Sequence, residues 1–94
     1  MNVSHDYIVH AVATKVKHHL SNNPIALADF LAALTNDPNS VLKKLQELIH
    51  KETALLSVTS RQSMLVNDPE DATHKVLADI KQFYREELRL FQSH

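Results

Sequence analysis

Apolar residues recur at three- and four-residue spacing through most of this chain. Ile8, Ala11, Val12, Val16 and Leu20, with Lys15 and His19 among them, trace one stripe. That period predicts a helix over about 5–20, with Ser4 as its N-cap. Ser21-Asn22-Asn23-Pro24 stops it, because proline and the residue before it both disfavour helix continuation. A second helix is expected over 24–34, where Leu27, Phe30, Leu31 and Leu34 share a face and Asp29 points outward. Asp37 then reads as an N-cap, with Pro38 as the first residue of a third helix running to about Lys51. Its period would bury Val41, Leu42, Leu45, Leu48 and Ile49, and leave Asn39, Ser40, Lys43, Lys44, Glu47 and Lys51 in water.

The period changes after Thr53. Ala54-Leu55-Leu56-Ser57-Val58-Thr59 and Ser63-Met64-Leu65-Val66-Asn67 are rich in β-branched residues with partial alternation, which predicts two short strands joined at Arg61-Gln62. Asp68 then caps a last helix that starts at Pro69, with Glu70 and Asp71 complementing the positive end of its dipole. Val76, Leu77, Ile80, Phe83, Tyr84, Leu88 and Phe91 carry its stripe to the end. A helix from Pro69 to Phe91 would be about 35 Å long, more than a domain of this size needs to cover its own core. The expected fold is mainly α with a small β-hairpin, in the order helix, helix, helix, hairpin, helix. That is the order of a winged helix with a long C-terminal helix. It would form one domain over 1–94: a helix-turn-helix over 24–52, a wing over 54–67 and a C-terminal helix over 69–92 that is a candidate for dimerisation.

The residues carry a resemblance as well. Ile25-Ala26-Leu27-Ala28-Asp29-Phe30-Leu31-Ala32-Ala33-Leu34 resembles the first half of a helix-turn-helix in small bacterial regulators of the ArsR and MarR type. Pro38-Asn39-Ser40-Val41-Leu42-Lys43-Lys44-Leu45-Gln46-Glu47-Leu48 is similar to their recognition helix. The resemblance covers about 24–67 and rests on spacing and residue class. It implies a transcription regulator that binds double-stranded DNA as a homodimer. The third helix would enter the major groove and the wing would touch the backbone. On that reading Asn39, Ser40, Lys43, Lys44, Lys51 and Arg61 contact DNA, and Ile80, Phe83, Tyr84, Leu88 and Phe91 form the dimer interface. Two positions depart from the pattern: Thr35-Asn36 and Lys51-Glu52-Thr53 stand where those regulators favour glycine.

Composition narrows the function classes. The 94 residues include no Gly and no Cys. Without glycine the common phosphate-binding loops are excluded, and a third helix longer or straighter than in those regulators is expected. Without cysteine there are no disulfides, thiolate zinc sites or thiol nucleophiles. The charge is close to balanced, with 10 Lys and Arg against 11 Asp and Glu. Residues 1–66 carry a net +1 and residues 67–94 a net −2, a thin basic footprint for a DNA-binding surface. A non-catalytic winged-helix module that binds protein, such as a small phage- or plasmid-type modulator, therefore stands beside the DNA reading. A plain helical bundle with 54–67 as an extended loop is a third alternative. The seven His lack the paired helical spacing of a metal site and read mainly as surface residues. No nucleophile has an activating His and Asp placed for it, so neither an enzyme nor a cofactor is expected. No apolar run approaches the 18 residues of a membrane span, and the first residues lack a signal-peptide pattern. A cytoplasmic location is the expectation.

Overall fold

The computed structural model describes residues 3–61 and 63–92. Four helices account for nearly all of them: α1 (Val3–Ser21), α2 (Pro24–Asn36), α3 (Pro38–Ser60) and α4 (Pro69–Gln92). Side-chain caps form at three of the starts, two of them expected, at Asp37 and Asp68, and one not, at Asn23. Asp37 Oδ1 accepts from the Ser40 amide at 3.3 Å, and Asp68 Oδ1 accepts from the Asp71 amide at 3.1 Å. Pro38 and Pro69 follow as first helical residues, where a missing amide proton costs nothing. Asn23 caps α2 through its side-chain oxygen, which accepts from the Ala26 amide at 3.1 Å. Ser4 does not cap α1 but lies within it, with its hydroxyl directed at the Met64 sulfur 3.8 Å away.

There is no strand among the described residues, so the winged helix is replaced by a helical bundle. The third helix runs through the proposed first strand and ends at Ser60. The inward series Val41, Leu45, Ile49, Glu52 and Leu56 keeps a helical period across the predicted boundary at Lys51. The Thr and Ser residues that favoured strands also fit a helix, because their hydroxyls donate to carbonyls one turn back. Thr53 donates to Ile49 at 2.7 Å and Thr59 to Leu55 at 3.0 Å; Ser60 donates to Leu56. Arg61 closes the helix in the left-handed region, at φ 57° and ψ 26°. The proposed second strand is an irregular return segment, held where the Met64 amide donates to Ser57 Oγ at 2.9 Å. Thr35 and Asn36 belong to α2, and Asp37 alone, with φ −150°, links it to α3.

The core belongs to three of the four helices. Ile8, Val12, Ala13 and Leu20 of α1 meet Val41, Leu45 and Ile49 of α3, and Ala72, Val76, Leu77 and Ile80 of α4. Two polar ties connect α1 to α4. His5 Nε2 lies 3.0 Å from Asp71 Oδ2, and Lys17 Nζ donates to Asp79 Oδ1 at 3.1 Å. His5 is buried, contrary to the expectation of a surface histidine. The α2 helix contributes no fully buried residue. It lies across α1 and α3, with Leu27, Phe30 and Leu34 half-buried against them.

Candidate interaction surface

Helix α2 has only one charged side chain, Asp29, in thirteen residues. A helix so apolar normally sinks into a core, yet Ile25 is 74% exposed, Ala28 and Ala32 are exposed, and Leu27, Phe30, Leu31 and Leu34 reach only partial burial. Beneath it, between α1 and α3, runs a groove of about 510 Å³. Val12, Val16 and Leu20 form one wall, Ala26, Phe30 and Ala33 another, and Val41, Leu45 and Leu48 the floor. Phe30 closes one side by meeting Tyr84 edge to face, with ring centroids 6.4 Å apart.

Charges gather at the rim. Lys15 Nζ reaches Glu52 Oε2 at 2.6 Å, bridging α1 and α3. Glu52 is buried, its side chain only 10% exposed, and this contact is what makes a carboxylate tolerable there. His19, Asp29 and Lys44 complete the rim. Exposed apolar surface goes on beyond the groove. Along α3 the exposed face continues through Lys51, Leu55 and Val58, with Leu55 50% and Val58 77% exposed. Leu48, expected in the core, is 40% exposed and joins the two parts.

The residues expected to contact DNA are all exposed but are not brought together. Asn39 and Ser40 open α3 and Arg61 closes it, about 33 Å apart at the rise of an α-helix. Lys43 and Lys44 part company. Lys44 faces the groove with Asp29 and Glu52, whereas Lys43 lies in a shallow hollow with Glu70 and His74 of α4. Each lysine thus has carboxylates nearby, and no compact basic patch forms around the start of α3. With the hairpin gone, Arg61 is a helix terminus instead of a wing tip.

The expected dimer residues also serve the protomer. Ile80 is fully buried in the core, and Phe83 and Tyr84 are half-buried against it. The side chains of Leu88 and Phe91 lie outside the described residues. Among the described residues no three His, Asp or Glu side chains gather as a metal site. No described helix is long and apolar enough to cross a membrane.

The groove was hidden from sequence reasoning because its residues look like ordinary core positions. One signal was present: Lys44, Leu48, Lys51, Leu55 and Val58 follow one another at spacings of four and three, a second stripe beside the buried one. No protein-family model matches this chain, and none of the curated proteins or solved structures compared with it matches either.

Proposed function

We propose that this protein is a non-catalytic interaction module that takes up a helical segment of another protein between α1, α2 and α3. The observation that carries this reading is that α2, the most apolar helix, buries no residue of its own and roofs an apolar groove. Apolar surface left uncovered at this scale is costly unless a partner covers it. The volume lies within the range of about 300–1,000 Å³ usual for binding pockets. Its continuation along α3 over Leu55 and Val58 favours an elongated occupant over a compact small molecule. An amphipathic helix laid in a groove presents side chains at such intervals.

A helical peptide with leucines at alternating spacings of three and four, and uncharged glutamine and alanine elsewhere, tests the reading. Titrated into the protein, it should shift the amide resonances of Val16, Phe30 and Leu48 saturably. Ala33→Arg, which plugs the wall of the groove, should abolish the shifts while circular dichroism stays unchanged. Shifts scattered outside the groove, or unaffected by Ala33→Arg, refute it. Binding of random duplex DNA at about 50 mM salt, lost steeply as salt rises, with no response to the peptide, would return the chain to the nucleic-acid reading.

A further inference from the structure

The five residues Lys44, Leu48, Lys51, Leu55 and Val58 lie at intervals of four, three, four and three, all exposed, on one face of the 23-residue helix α3. That spacing is the seam of a helix that packs lengthwise against another helix. The core-facing series, Val41, Leu45, Ile49 and Leu56, is already covered by α1 and α4. Among the described residues this second seam has no partner, and two of its five positions are cationic.

Neither Lys44 nor Lys51 enters an ion pair among the described residues, whereas Lys15, Lys17 and Lys75 each have a carboxylate within 3.3 Å. Of the carboxylates around the seam, Glu52 is held by Lys15, Asp29 lies across the groove on α2, and Glu47 sits on the flank of α3. The seam itself is thus apolar with two cations, and Glu47, three residues from Lys44 and four from Lys51, is the carboxylate beside them on α3.

A second copy of this chain fits it poorly. Packed parallel, Lys44 and Lys51 would each face their own counterparts. Packed antiparallel with Leu48 over Val58, Lys51 would lie over Leu55 of the other copy, with no carboxylate opposite it. The parallel register sets cation on cation, which is penalised across an interface, and the antiparallel one covers Lys51 with an apolar side chain and no partner. An anionic membrane fits less well too. Two free lysines give little attraction, at about 1 kcal/mol each near such a surface, and the chain carries a net −1.

We infer that the segment accepted here is an acidic amphipathic helix, whose apolar residues pack along Leu48, Leu55 and Val58 while its carboxylates reach Lys44 and Lys51. The inference rests on the helix-binding reading and specifies the partner's charge. A bonded carboxylate lets each lysine stem lie along the apolar seam with its ammonium group at the edge.

Two fluorescein-labelled 21-residue peptides test it, both with leucine at the seam positions. One carries glutamate and alanine elsewhere, the other lysine and alanine. Fluorescence anisotropy should show the acidic peptide binding at least about fivefold more tightly than the basic one at low salt. Lys44→Glu with Lys51→Glu should reverse that preference without changing the helical signal, since both side chains are exposed. Equal binding of both peptides, or a preference that the double variant leaves intact, overturns the charge inference while the helix-binding reading stands. If neither these peptides nor the uncharged one binds, the helix-binding reading itself fails. Vesicles containing phosphatidylserine that bind the protein while both peptides do not would assign the seam to a membrane surface. A dimer abolished by Leu48→Asp would assign it to a second copy.

Discussion

The Lys15–Glu52 bridge offers the sharpest energetic test of the groove. Glu52 enters the inward series of α3 between Ile49 and Leu56, where an apolar residue would be ordinary, and its side chain is 10% exposed. Lys15 Nζ, 2.6 Å away, offsets the lost hydration, but the lysine itself is 61% exposed. Removing one member of a fully buried pair costs about 3–5 kcal/mol, whereas exposed pairs contribute about 0–1 kcal/mol. With one partner buried and the other wet, Lys15→Met should cost about 1–2 kcal/mol, because it strands a carboxylate among apolar side chains while keeping the stem. For a chain of this size that lowers Tm by roughly 4–16 °C. The double variant Lys15→Met with Glu52→Leu removes both charges and should recover most or all of the loss, since a well-packed apolar pair there carries no desolvation cost. Thermal unfolding of the wild type, both single variants and the double variant, followed by circular dichroism at pH 7, completes the cycle. A Lys15→Met protein as stable as the wild type would show that Glu52 is not desolvated. A double variant no better than Lys15→Met would show that the loss came from packing and not from the stranded charge.

Three further variants test other parts of the fold. Ala54→Pro should cost about 3 kcal/mol or more, seen as a fall in the urea midpoint, because exposed Ala54 lies inside α3; a proline there would be tolerated if residue 54 began a strand. Arg61→Gly should raise stability by about 0.5–1 kcal/mol, seen as a higher urea midpoint at unchanged slope, since Arg61 holds a positive φ that glycine adopts freely. Asp71 is held below its ordinary carboxylate value of 3.8 by its hydrogen bond with Lys75 first, which outweighs the opposing effect of burial, and then by the Lys75 charge and by His5. A carboxylate depressed in the folded state contributes stability above its unfolded value and loses it as pH falls through the folded one. The gap in Tm between wild type and Asp71→Asn should therefore be widest near neutrality and close below about pH 4; a gap that widens towards acid would contradict the assignment.

Helix starts were the most legible part of the sequence, because they depend on few residues. Asp37-Pro38 and Asp68-Pro69 each place an acceptor beside a residue with no amide to satisfy, and both mark the first turn of a helix. The end of α3 was less legible. Leu55, Val58, Thr59 and Val66 favour strands in isolation, but propensity yields to packing where Leu56 continues the buried series. The third helix runs on past Lys51 to Ser60, and the left-handed residue fell at Arg61, a position no local preference marks. The buried His5 and Glu52 were illegible for a related reason: their partners, Asp71 and Lys15, are 66 and 37 residues away in the chain.

The groove depends on a feature that no window of sequence contains. Periodicity tells which residues of a helix share a face, and α3 has two overlapping apolar faces. One includes Leu45, Ile49 and Leu56; the other includes Leu48, Leu55 and Val58. Which is covered depends on where the neighbouring helices can travel. Helix α2, the natural candidate to cover the second face, is tied at both ends. Only Asn22 and Asn23 separate it from α1, and only Asp37 separates it from α3. Links that short set its position from the end of α1 and the start of α3, leaving its own apolar surface little say. It therefore reaches the N-terminal half of α3, where Phe30 and Ala33 lean over Val41 and Leu45, and has no length left to shield Leu55 or Val58. Its thirteen residues span about 20 Å against about 35 Å for α3. The uncovered length of α3 is thus a consequence of link length and helix length together, and it lies on the same side as the groove that α2 fails to fill.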